Sequence, residues 1–107
     1  MAGSLGDLGG LLKQAQRMQR QVAELQEELN KRTFEGRAGG GAVRAKVNGA
    51  RAILEIKISP EVVDPAEVEL LEDLVLGAVK DALNQAEATV AKEMQGLTGG
   101  MGLPGMF

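Results

Sequence analysis

The chain has 107 residues, a formal net charge of −3 and a pI near 5.0, and it contains neither cysteine nor histidine. This composition excludes disulfides, thiol chemistry, the usual zinc ligands and the commonest general base, and the length suffices for one small domain. No apolar run approaches the roughly 18 to 20 residues of a membrane span, and the N-terminus lacks the basic-then-apolar layout of a signal peptide, so a cytoplasmic protein without a membrane partner is expected.

The net charge conceals a division along the chain. Residues 1–23 hold Lys13, Arg17 and Arg20 against Asp7, and residues 36–59 hold Arg37, Arg44, Lys46, Arg51 and Lys57 against Glu55. Residues 60–107 carry nine acids and two bases, and this segment makes the total negative. Local fields, not the sum, decide whether a phosphate backbone can dock.

The first helix is expected from Asp7 or Leu8 to Lys31. Leu8, Leu11, Ala15, Met18, Val22, Leu25 and Leu29 recur in alternating steps of three and four, the spacing of a coiled-coil seam. Such a ladder also fits ordinary packing against the chain's own second helix. Outside the seam the charges are sorted, with Lys13, Arg17 and Arg20 first and Glu24, Glu27 and Glu28 after them. That order opposes the helix dipole, which favours acids near the N-terminus, so a separate use for the basic end is worth seeking. The stripe is equally compatible with a solvated face in which Arg20 pairs with Glu24.

Residues 33–38 read as a short strand, irregular at Gly36, and residues 39–41 (Gly-Gly-Gly) as a loose turn. In residues 42–48, Val43, Ala45 and Val47 alternate with Arg44, Lys46 and Asn48, a strand with one dry face. Asn48-Gly49 suits a two-residue hairpin turn, which pairs Val47 with Ala50, Ala45 with Ala52 and Val43 with Leu54, and Ile56 and Ile58 extend the dry face. The opposite face then gathers Arg44, Lys46, Arg51 and Lys57 around Ile53 and Glu55, with Lys46 across from Arg51. A like-charge cross-strand pair points to an anionic partner, whereas a merely solvated outer face is the plainer reading.

Ser59-Pro60 ends the strand, and Asp64-Pro65-Ala66-Glu67 is a helix start with Asp64 as cap and Pro65 in the first turn. A second helix follows to about Met94, with a broad apolar stripe up to Leu83 and only Ala86, Val90 and Met94 beyond it. Its distal turns are expected to project past the core and lie beside the ladder of the first helix. Residues 1–95 form one domain, of which about 1–6 are flexible, and residues 96–107 form a Gly- and Met-rich flexible tail.

Catalytic features are lacking. Glu67, Glu69, Glu72 and Asp73 lie in the first turns of a helix, where acids are favoured anyway, and nothing else supplies a second set of oxygens for a metal. The triple glycine lacks the Lys-Ser/Thr of a phosphate-cradling loop. Ser4, Ser59, Thr33, Thr89 and Thr98 stand in no recognisable nucleophile setting. Single-strand binding is not expected either, because Phe34 and Phe107 are the only aromatic residues.

Several motifs in order resemble a known family: Leu-Lys-Gln-Ala-Gln-Arg-Met-Gln (residues 12–19), Gly-Gly-Gly-Ala-Val (39–43), Asn-Gly (48–49), Ile-Ser-Pro-Glu (58–61), Leu-Leu-Glu-Asp-Leu (70–74) and Thr-Gly-Gly-Met-Gly-Leu-Pro-Gly-Met-Phe (98–107). Over nearly its whole length the chain resembles the bacterial YbaB/EbfC nucleoid-associated proteins. The resemblance implies an α+β protomer with an N-terminal helix, a three-stranded antiparallel sheet and a long C-terminal helix. It further implies a sheet-mediated homodimer with projecting helical arms, located in the nucleoid and binding double-stranded DNA with little sequence selectivity. Lys13, Arg17 and Arg20 match the basic first helix of the family, and Lys92 on the second helix is their companion. Arg44, Lys46, Arg51 and Lys57 are the secondary DNA-binding candidates. No enzyme activity, cofactor, metal or small-molecule substrate is expected. The contrasting reading is a non-catalytic scaffold that holds a partner protein through the ladder and the Met-rich tail.

Overall fold

The computed structural model describes residues 2–99, with side chains from 8 to 97, and its first element is the expected helix, α1 (Ala2–Lys31). It begins upstream of the expected start and passes through Gly9 and Gly10. Burial rises steadily down the ladder. Leu8 and Leu11 are 54% and 58% exposed, Met18, Val22 and Leu25 are half-buried, and Leu29 is fully buried. Only the C-terminal half of the seam is therefore covered within the chain, and the expectation that the second helix lies along the ladder holds for that half alone.

Three strands follow, β1 (Thr33–Ala38), β2 (Val43–Asn48) and β3 (Ile53–Ile58), in one antiparallel sheet of order β1-β2-β3. β1 pairs with β2 without a break at Gly36, which sits opposite Ala45. The expected irregularity is absent, and the glycine has another cause: a Cβ there would overlap the backbone of the helix packed above it, at Ala78 O and Ala82 N. The link from β1 to β2, Gly39–Gly41, is a short 3-10 turn in which all three glycines have positive φ.

The β2–β3 register differs from the expected one. Val43 faces Ile58, Ala45 faces Ile56 and Lys46 faces Glu55, and a bulge then brings Val47 opposite Ile53. Val43 is thus paired four residues further along than expected, an even slip that leaves Ile56 and Ile58 on the dry face. The bulge moves Ile53 to that face as well and leaves Leu54 outside the pairing. Three hydrogen bonds hold the enlarged turn. The Gly49 N–H donates to Arg32 O at 3.1 Å, and Asn48 Oδ1 accepts from the N–H groups of Ala50 and Ala52 at 2.9 and 3.0 Å. Arg51 completes the loop with φ of 68°. The turn is thus longer than two residues, and Lys46 does not face Arg51.

Asp64 caps the next segment as expected, its carboxylate accepting from the Ala66 N–H at 2.9 Å, and a 3-10 turn (Pro65–Glu67) leads into α2 (Val68–Gly99). This helix continues past Met94, so residues 96–99 prolong it, and the rest of the expected tail lies outside the described residues. α2 packs across β1 and β2. Ala78, Ala82 and Ala86, spaced by four, seat on Val43, Ala45 and Val47, and all six side chains are buried. Small side chains on the helix and glycine on β1 allow backbone to approach backbone. β3 lies outside this cover, which leaves Ile53, Leu54, Ile56 and Ile58 between 37% and 54% exposed.

The molecule measures 79 × 25 × 16 Å. At 1.5 Å per residue each helix is about 45–48 Å long, so α1 and α2 overlap over only part of their lengths. Gln26 and Asn30 share a cleft with Val90 and Ala91, which places the overlap at the sheet end of α1. The N-terminal half of α1 projects as an arm.

Candidate nucleic-acid interface

The sorted charges of the sequence become a spatial separation. At the base of the arm, Arg32 links the two helices, with Nη1 3.1 Å from Glu93 Oε1 and Nη2 3.0 Å from Glu28 Oε1. Hydrogen bonds to Glu93 first and Glu28 second push the guanidinium pKa above its ordinary value. Lys31 pairs with Glu27, Arg37 with Glu35, Arg51 with Glu87, and both Lys46 and Lys57 with Glu55.

Among the described residues, the cations outside any ion pair are Lys13, Arg17, Arg20, Arg44, Lys80 and Lys92. Lys13, Arg17 and Arg20 are all exposed on the projecting part of α1, and Arg20 forms no pair with Glu24. They span about 10 Å of helix axis, over which one DNA strand presents about three phosphates at 3.4 Å of axial rise each. Lys92 is exposed on the distal part of α2. Hence Lys13, Arg17 and Arg20 stand unpaired on the arm, whereas Lys92, also unpaired, lies on α2 near the base of the arm beside Glu93.

The second set resolves differently. On the sheet face turned away from α2, Glu35, Lys46 and Glu55 lie side by side on the three strands, and in the next row Arg37, Arg44 and Lys57 do so. The first row alternates in sign. Lys57 and then Lys46 hold the Glu55 carboxyl below its ordinary pKa, so that it remains ionised. The second row is uniformly basic, and two like charges at a cross-strand separation of 5 Å repel by about 0.8 kcal/mol in water. Arg51 is not on this face; it sits in the turn, 3.8 Å from Glu87. The cross-strand neighbours of Arg44 are therefore Arg37 and Lys57, and Arg37 was missed because its place follows only from the β1–β2 register.

Among the described residues no group of three or more His, Cys, Asp or Glu side chains is placed to hold a metal. Also among them, no helix is long and apolar enough to cross a membrane.

The fold is thus of a helix-armed α+β class, with unpaired cations exposed on the arm. The YbaB/EbfC DNA-binding family matches residues 5–101, and the chain belongs to that family. It is 51% identical over 105 residues to a nucleoid-associated protein of Clostridium kluyveri, covering 98% of this chain and 92% of that one. A nucleoid-associated protein of Clostridium perfringens is 53% identical over 105 residues, covering 98% and 94%. Among solved structures, an uncharacterized protein of Helicobacter pylori, HP0035, shares the fold with a TM-score of 0.60 at 18% identity, covering 73% of this chain and 90% of that one.

Proposed function

We propose that this chain is a nucleoid-associated protein that binds double-stranded DNA as a homodimer, with little sequence selectivity and without catalysis, and thereby affects nucleoid organisation and gene expression. The observation that carries the reading is the group of unpaired cations on the projecting half of α1. Lys13, Arg17 and Arg20 contact phosphates, with Lys92 as their companion, and phosphate contacts fix position while conveying little sequence information.

Two features support dimerisation through the β3 side of the sheet. The β1 edge is blocked, because Asp81 Oδ2 accepts the Arg37 N–H at 3.0 Å. The β3 edge is open and carries exposed isoleucines, of which Ile58 lines a largely apolar trough with Val68, Val75, Leu76 and Val79 of α2. An open apolar edge invites a second strand, and a second copy of the same surface would cover it while leaving the arms free.

The test is a titration of a labelled duplex between 50 and 200 mM salt. With three phosphate contacts on each of two arms the slope is about −5.4, an affinity loss of about 2,000-fold over that range. The Lys13→Ala, Arg17→Ala, Arg20→Ala variant flattens this slope and weakens binding evenly across sequences. Binding that is insensitive to salt refutes the reading and favours a scaffold that docks a partner protein on the exposed seam of Leu8 and Leu11.

A further inference from the structure

The outer face of the sheet carries charge that an arm-based grip does not use. Arg37, Arg44 and Lys57 are cross-strand neighbours on β1, β2 and β3. Arg37 and Lys57 lie 3.4 and 3.3 Å from Glu35 and Glu55 on their own strands. Arg44, between them, is exposed and forms no ion pair among the described residues. The ladder fixes three cations at strand spacing, and α2 covers only the opposite face; Glu35 and Glu55 offset Arg37 and Lys57, whereas the central Arg44 has no counter-ion among the described residues. The row crosses two interstrand gaps, about 10 Å in all, which again matches about three phosphates of one DNA strand. From Arg17 to Lys31 α1 advances about 21 Å, twice the length of either basic row, so the arm and the sheet are separate surfaces.

We propose that the Arg37, Arg44 and Lys57 row is a second phosphate-backbone site, occupied by a duplex segment other than the one held by the arms, so that one dimer bridges two duplexes. The inference rests on the reading that the arms bind DNA. In the test, protein is retained on a bead-tethered short duplex at 50 mM salt, and a second, fluorescent duplex is added. The readout is second duplex captured per protein retained. Losing two phosphate contacts lowers the salt slope of the second step by about 1.8, which at 50 mM salt, relative to 1 M, is an affinity loss of about 200-fold. The Arg44→Gln, Lys57→Gln variant is therefore expected to reduce the ratio at least about tenfold. Arg44→Lys, which keeps the charge, retains most of the capture. A double variant that captures as much as the native protein, or a native protein that captures no second duplex, overturns the proposal. The arm reading fails by a different signal, namely full retention of the Lys13→Ala, Arg17→Ala, Arg20→Ala variant on the tethered duplex.

Discussion

Replacing Gly36 by alanine tests whether backbone-to-backbone contact seats α2 on the sheet. The added Cβ would overlap Ala78 O and Ala82 N and lie 2.8 Å from Ala82 Cα. All three are backbone atoms in the middle of a helix, so no side chain can rotate away. Relief requires α2 to withdraw by about 1 Å, which loosens Ala78, Ala82 and Ala86 against Val43, Ala45 and Val47 together. Overpacking of this kind costs about 1–3 kcal/mol, and the rigidity of the contacted atoms puts Gly36→Ala at the upper end, about 3 kcal/mol. For a domain of this size that corresponds to a fall in Tm of about 12 °C or more. Gly77→Ala on the same helix is the internal control. Its Cβ would meet Ala38 Cβ at 3.5 Å, an ordinary contact, so helix propensity dominates and stability rises by about 0.5–1 kcal/mol. Thermal and urea unfolding of both variants at one chain concentration decides the matter, since the proposed self-association would make Tm concentration-dependent. A Gly36→Ala protein within about 0.5 kcal/mol of native would refute the close-approach argument.

Asp81→Ala leaves the Arg37 N–H without its acceptor at 3.0 Å, and the loss of about 1 kcal/mol of local protection should speed exchange of that amide about fivefold; unchanged exchange means the carboxylate does not guard the β1 edge. Glu55 has a lowered pKa in the folded protein, so its contribution to stability is present above the unfolded carboxyl pKa and is lost as pH falls through the lower folded value. By NMR titration, Lys57→Ala should move Glu55 back toward its ordinary pKa by more than Lys46→Ala does, because the Lys57 hydrogen bond is the larger cause, and equal or absent movements would contradict this. Gly10→Ala adds a Cβ into open space within an exposed helix, so amides in the distal half of α1 should gain about 1 kcal/mol of protection; no gain would show that glycine does not limit the arm.

Periodicity made the elements legible, because α1, the sheet and α2 each bury one face and the spacing of their apolar residues records which. It recorded the hairpin register less well. An even slip preserves the alternation, so Val43, Ala45, Ile56 and Ile58 looked correctly placed under either pairing. The bulge and the enlarged turn depend on Gly49 meeting the Arg32 carbonyl, a tertiary contact with no local signature. Gly36 was misread for the same reason, since its role lies in the helix above it and not in its own strand. At the site, helical spacing put Lys13, Arg17 and Arg20 on one stripe, but their expected role, and Lys92 as companion, came from the family resemblance. The sheet row did not, because Arg37 joins Arg44 and Lys57 only through two strand pairings.

The remaining question is how a chain of net charge −3 attracts a polyanion. The acids that set this sum, including Glu69, Glu72 and Asp73, lie at the start of α2, while Lys13, Arg17 and Arg20 lie on the arm. Gly77 adjoins Ala38 at one end of β1, and Asn30 and Val90 share a cleft at the other, so the two charge groups occupy opposite ends of the molecule. From Glu72 to Val90 α2 advances about 27 Å, and from Asn30 to Arg17 α1 advances about 20 Å further, giving about 47 Å in all. At physiological ionic strength the Debye length is about 8 Å, so more than five screening lengths separate the acids from DNA held on the arm. Their repulsion is negligible there, so among the acids it is those on α1, Glu24 first, and not the acids at the start of α2, that bear on binding at the arm. Accordingly, Glu69→Gln, Glu72→Gln, Asp73→Asn, which removes as much charge as the arm triple variant, should leave duplex affinity within about twofold at 0.15 M salt. A tenfold gain would instead place DNA against the start of α2 and refute the arm as the principal grip.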